Sequence, residues 1–137
     1  MEDINVELEK LDILLKYGAD AVMDLSTGPK LHEIRKAIRD KTNIPLGTVP
    51  IYEAGVETTS QDKIIVDMDD DTIFKTIINQ AKEGVDFITV HCGITQDAIK
   101  AVDDSERLMG IVSRGGALTA AWIMHNEREN PLYAEYD

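Results

Sequence analysis

The sequence predicts an α/β protein of about four consecutive βα units with parallel strands. Two observations point there. Short apolar runs alternate with amphipathic stretches, and the apolar runs recur at spacings of roughly 25 to 40 residues, the rhythm of right-handed βαβ units. The chain has 137 residues, of which 43% are hydrophobic, enough for one domain with a sizeable core.

The elements follow in order. Ile4, Leu8, Leu11, Leu14 and Leu15 share one side of a helix over 4–17, which Gly18 stops. Residues 21–25 form a short strand, and Ser26-Thr27-Gly28-Pro29 a turn whose proline suits the start of the next helix. That helix, 30–41, buries Leu31, Ile34 and Ile38 and exposes Glu33, Arg35, Lys36 and Arg39. A second strand covers 45–51, followed by a long acidic connection over 53–71. Asp69-Asp70-Asp71 cap a helix over 72–83, where carboxylates suit the positive end of the helix dipole. A third strand over 85–92, a helix over 95–102, a fourth strand over 108–113 and a helix over 116–126 complete the pattern, with a polar tail from 127 on. Two architectures fit: a small doubly wound sheet, or half of an eight-stranded barrel.

The charge is -12, from 14 basic and 26 acidic side chains, which argues against a nucleic-acid or anionic-membrane partner. Cys92 is the single cysteine, so the chain forms no internal disulfide and no multi-cysteine metal site. The opening run MEDINVELEK lacks an apolar signal segment, and no apolar run approaches the roughly 20 residues of a membrane helix. A soluble, cytoplasmic protein is expected.

In either architecture ligands gather at the C-terminal ends of the strands. Those ends carry Met23-Asp24-Leu25-Ser26, then Tyr52, then His91-Cys92-Gly93, then Ser113-Arg114-Gly115-Gly116. The last run is the sharpest candidate: its glycines let backbone N–H groups approach a ligand, a helix N-terminus follows, and Arg114 adds a fork of donors matched to phosphate or carboxylate. Its plainer reading is a strand-to-helix turn with a surface arginine. His91 reads as a ligand, an acid–base group or a satisfied core residue, and spacing alone favours the core. Asp24 holds either a ligand or the Ser26-Thr27 turn. Met23 and Tyr52 are types that often fill cores, Cys92 is expected to pack, and the acidic run at 67–71 reads as a solvated helix start. His32 and His125 fall on helices, without metal-ligand spacing.

Further words carry a resemblance. GADAVMDLSTG at 18–28, HEIR at 32–35, IPLGTVPIYEA at 44–54, QAKEGVDFITVHCG at 80–93, GIVSRGG at 110–116, Trp122 and ENPLY at 129–133 stand in one collinear order. In these the chain resembles the phosphomethylpyrimidine synthase family. The resemblance implies a (β/α) barrel, and so a half (β/α)8 TIM-type barrel rather than a doubly wound sheet. Residues 1–17 would be an N-terminal helix, and 18–137 the first half of the catalytic domain.

It further implies a lyase of thiamine (vitamin B1) biosynthesis. The family converts aminoimidazole ribotide to hydroxymethylpyrimidine phosphate by radical chemistry, using S-adenosylmethionine, a 4Fe–4S cluster and a divalent metal, zinc. Its substrate site maps here onto Met23, Tyr52, His91, Ser113, Arg114 and Gly115, and no catalytic residue is assigned. Pro29 and Cys92 stand where a second glycine and an alanine are common. The family's asparagine motif, its DGLRPG-type segment, its two metal-binding histidines and its C-x2-C-x4-C cluster triplet have no counterpart in this chain. The chain alone is therefore expected to be inactive, to bind none of those cofactors, and to form a homo-oligomer that covers its open sheet edges. The competing expectations are a non-catalytic half-barrel binding or assembly module and, on weaker grounds, a flavodoxin-like domain.

Overall fold

The computed structural model describes residues 3–137 of the chain. Its first helix, α1 (Ile4–Lys16), begins on Asp3, whose carboxylate accepts from the Asn5 N–H at 2.9 Å. That bond satisfies a donor the first helical turn leaves unpaired. Leu11 is the buried residue of α1 and packs with Val22, Ile34, Ile38 and Leu46. The elements then run β1 (Val22–Asp24), α2 (Leu31–Lys41), β2 (Leu46–Thr48), α3 (Pro50–Thr59), one 3-10 turn (Ile65–Asp67), α4 (Asp70–Lys82), β3 (Phe87–Ile88), α5 (Gln96–Asp103), α6 (Arg114–Asn126) and α7 (Pro131–Ala134).

The strands form one parallel sheet in the order β1-β2-β3. Val22 pairs with Leu46 and Asp24 with Thr48, while Met23, Gly47 and Phe87 lie in one row across the sheet. Since side chains alternate along a strand, that row belongs to the opposite face from Val22 and Leu46. A parallel sheet with helical crossovers is the expected α/β class, in the pattern of a partial (β/α) barrel. A second core lies under α3, α4 and α6. It contains Ile51, Ala54, Met68, Ile73, Trp122 and Ile123, and the Trp122 Nε1–H donates to the Met68 carbonyl at 2.7 Å. Among the described residues, no helix is long and apolar enough to cross a membrane.

Three expectations need correction. The strand expected over 45–51 ends at Thr48, because Pro50 starts α3 with a preset φ and no N–H to lose. The connection expected over 53–71 is largely α3 and the 3-10 turn. The stripe of α3 is hard to see because it includes the buried polar residues Glu53 and Thr58. Residues 108–113 form no strand. Gly110 turns left-handed there (φ 51°), which breaks the pleat, and Leu108 and Val112 stand 102% and 67% exposed. Among the smaller shifts, the third strand is only Phe87–Ile88, with Thr89 N–H continuing the ladder to Thr48 O at 2.8 Å. Likewise α6 starts at Arg114, two residues early, and the tail holds α7.

Candidate functional site

Beneath the strand ends, on the helix side, lies a buried polar network. Arg35 of α2 is 4% exposed. Its guanidinium bonds Glu53 of α3, donates to Glu83 Oε2 at 2.6 Å and lies 3.9 Å from Asp24 Oδ2. Gln80 of α4 donates to Glu53 at 2.7 Å and accepts from the Thr48 hydroxyl at 2.5 Å. His32 adds contacts to Glu53 and Glu83 at 3.5 and 3.2 Å. The network ties α2, α3 and α4 to the ends of β1 and β2, so it fixes where the rim stands. Asp24 serves it structurally, and its other oxygen accepts from Ser26 N–H at 3.0 Å to hold the turn.

Above it, on the rim, the N-terminus of α6 draws the expected residues together. Ser113 caps this helix by accepting from the Gly116 N–H at 3.1 Å. Arg114 reaches across to donate to the Leu25 carbonyl at 3.1 Å, and its guanidinium lies over the Tyr52 ring, 4.2 Å from the centroid. Such stacking on an aromatic face is a favoured setting for arginine. The His91 Nε2 lies 3.2 Å from the Ser113 Oγ. The His91 ring also rests on Gly115 so closely that a Cβ there would collide with it. Burial holds the His91 pKa below the ordinary 6.5, so its ring stays neutral to lower pH than a free imidazole. Tyr52, His91, Ser113, Arg114 and Gly115 thus form one contiguous group.

Met23 takes no part in those contacts. It lines a cavity of about 340 Å³ next to α1, together with Leu25, Ser26 and Thr27. Leu25 joins the two regions, because it lines this cavity and its carbonyl receives Arg114. A backbone acceptor of this kind leaves no mark in a sequence. Arg35, expected on the exposed face of its helix, is buried instead, and its partner Glu53 and the linked Gln80 carry no signal in the sequence, because buried polar groups on amphipathic helices read like surface ones. Cys92 is partly buried and packs on the larger core, as expected. At the start of α6 Ser113 takes the N–H groups of Gly116 and Ala117, which leaves those of Arg114 and Gly115 for an anion, the usual property of a helix start.

The radical SAM ThiC family model matches residues 1–137. The chain belongs to that family. It is 99% identical over 137 residues to phosphomethylpyrimidine synthase 1 of Methanosphaera stadtmanae, covering 100% of this chain and 32% of that protein. It is 58% identical over 137 residues to phosphomethylpyrimidine synthase 2 of Methanothermobacter thermautotrophicus, with the same shares. It is also 58% identical over 135 residues to the phosphomethylpyrimidine synthase of Methanococcus maripaludis strain C7, covering 98% of this chain and 32% of that protein. The chain spans about a third of the length of the curated relatives it matches, 32% in each of these cases.

The family name speaks of radical S-adenosylmethionine chemistry, which implies an iron–sulfur cluster held by several thiolates. Cys92 is the one cysteine here, so these residues do not fit that cluster. Among the described residues, no three His, Cys, Asp or Glu side chains are grouped to hold a metal ion.

Proposed function

We propose that this chain forms part of the aminoimidazole ribotide wall of a phosphomethylpyrimidine synthase, an enzyme of thiamine biosynthesis. The observation that carries the reading is the convergence of Arg114, Tyr52, His91, Ser113 and Gly115 at one rim. Arg114 spends one donor on the Leu25 carbonyl, and its remaining N–H groups suit the phosphate of a ribotide. The first-turn N–H groups of α6 favour the same anion. His91, neutral near pH 7, and the Tyr52 hydroxyl supply hydrogen-bonding groups for a heterocycle, and Met23 an apolar contact for its ring.

In this reading residues 18–137 are the first half of a barrel domain, and 1–17 an N-terminal helix before it. The 4Fe–4S cluster, S-adenosylmethionine and zinc belong to the whole enzyme, and the chain by itself does not complete the reaction. It acts in the cytoplasm. A second copy covers exposed Leu108, Met109 and Val112 and the edge of β3. Sedimentation at micromolar concentration tests that last point, and a well-behaved monomer counts against it.

The substrate reading is tested by calorimetric titration of the chain with aminoimidazole ribotide, beside Arg114→Ala. Saturable binding that the substitution abolishes supports it. No binding by a chain that circular dichroism shows to be folded overturns it.

A further inference from the structure

Asn130 sits in the ENPLY run, which the ribotide wall leaves unused. It is 1% exposed. Its Nδ2 amide donates to the carbonyls of His91 and Ile94, each at 2.9 Å, and lies 3.5 Å from that of Cys92. Its Oδ1 accepts from the Leu132 N–H at 3.0 Å and caps α7. Beside it, Glu129 accepts from its own neighbour's N–H, that of Asn130, at 2.8 Å and from the Gln96 N–H at 3.2 Å, docking the start of α7 on the start of α5.

Carbonyl dipoles that converge on one point repel each other unless a donor lies between them, and an unpaired buried carbonyl is costly. Here the donor is a single side-chain amide. The turn's own backbone bond, Ile94 N–H to His91 O, is long at 3.3 Å. The amide therefore holds the 91–94 turn closed from behind. On the opposite side of the same residue, the imidazole of His91 rests on Gly115 and Ser113.

We propose that Asn130 is a positioning residue for His91: its amide fixes the 91–94 turn, and with it the face His91 offers to a ligand. The inference rests on the reading of His91 as part of the ribotide wall. The plain alternative is that Asn130 only caps α7.

Asn130→Ser separates the two, since serine keeps a capping acceptor and loses the amide donors. The readouts are the His91 titration midpoint by NMR, without ligand, and ribotide affinity by calorimetry. In Asn130→Ser the midpoint should rise by roughly half a pH unit or more, toward that of a free imidazole, as the ring leaves its buried seat. Affinity should fall about tenfold. Leu132→Ala, which loosens α7 but keeps the amide, should lower the melting temperature and leave the His91 midpoint in place. In the unaltered chain, protonating His91 should shift the Asn130 side-chain amide signals, a measurement that needs no variant to fold. An unmoved His91 midpoint in Asn130→Ser, unmoved amide signals in the unaltered chain, or unchanged affinity in Asn130→Ser overturns the proposal. Failure of the unaltered chain to bind ribotide overturns the substrate reading instead, and the His91 midpoint still decides the role of Asn130.

Discussion

Two arginines, Arg35 below the strand ends and Arg114 on the rim above them, place one residue type in opposite surroundings. Arg35 is buried and held by Glu53 and Glu83. Arg114 is exposed, with one carbonyl and one aromatic face as its contacts. A cation surrounded by carboxylates has its charge neutralised and is fixed in place, which suits a strut. A cation resting on a carbonyl and a ring keeps its charge available, which suits a group that receives an anion. Neighbouring carboxylates neutralise the charge of Arg35, while Arg114 keeps its own, which in the proposed reading receives the ribotide phosphate.

Removing the strut should have the largest effect. Arg35→Leu leaves Glu53 buried without its cation, and stability should fall by about 3–5 kcal/mol, read from urea denaturation. An unchanged midpoint would mean the buried network contributes no more than a surface ion pair. The next effect down tests the neutral part of the same network. Gln80→Leu deprives both Thr48 and Glu53 of a partner, at a cost of about 1–3 kcal/mol. Combined with Arg35→Leu, it should add less than the sum of the two, because both act through Glu53.

A smaller effect is expected away from both regions. Asp69 caps α4 by accepting from the Thr72 N–H at 2.6 Å, and these hydrogen bonds to Thr72 lower its pKa below the ordinary 3.8. Asp69→Ala should lose about 1 kcal/mol. The cap's contribution is fully present above pH 3.8 and is lost as pH falls through the lower, folded-state value, so the variant and the original chain should converge in acid. Parallel denaturation series at neutral and acid pH measure this. The smallest change in stability belongs to the rim. Arg114→Ala should stay within about 0.5 kcal/mol of the original chain while ribotide binding disappears. A large stability loss there would make Arg114 a second strut and erase the contrast with Arg35.

Much of the architecture was readable from residues alone. The helices at Ile4–Lys16, Leu31–Lys41, Asp70–Lys82 and Gln96–Asp103 follow apolar spacing and capping residues within a few positions. These are local signals, since a 3.6-residue stripe and an N-cap are written in consecutive residues. Tyr52, His91 and Ser113-Arg114-Gly115 are local in the same sense, each standing at the end of an apolar run. Where the reading slipped, a buried polar group or a single backbone angle intervened. Glu53 disguised α3 as an acidic loop, and the left-handed Gly110 undid a run that looked like a strand.

By itself the sequence determined the α/β class and the parallel strands of the first units, and it marked the polar residues that close each apolar run, because each depends on neighbours along the chain. Tertiary structure alone decided which of those groups meet. Arg114 finds the Leu25 carbonyl 89 positions away, Asn130 closes the turn at His91 from 39 positions away, and Arg35 gathers Glu53 and Glu83. Each of these bonds depends on distance and angle in space, set only once the helices have packed on the sheet, and no pattern of consecutive residues specifies them.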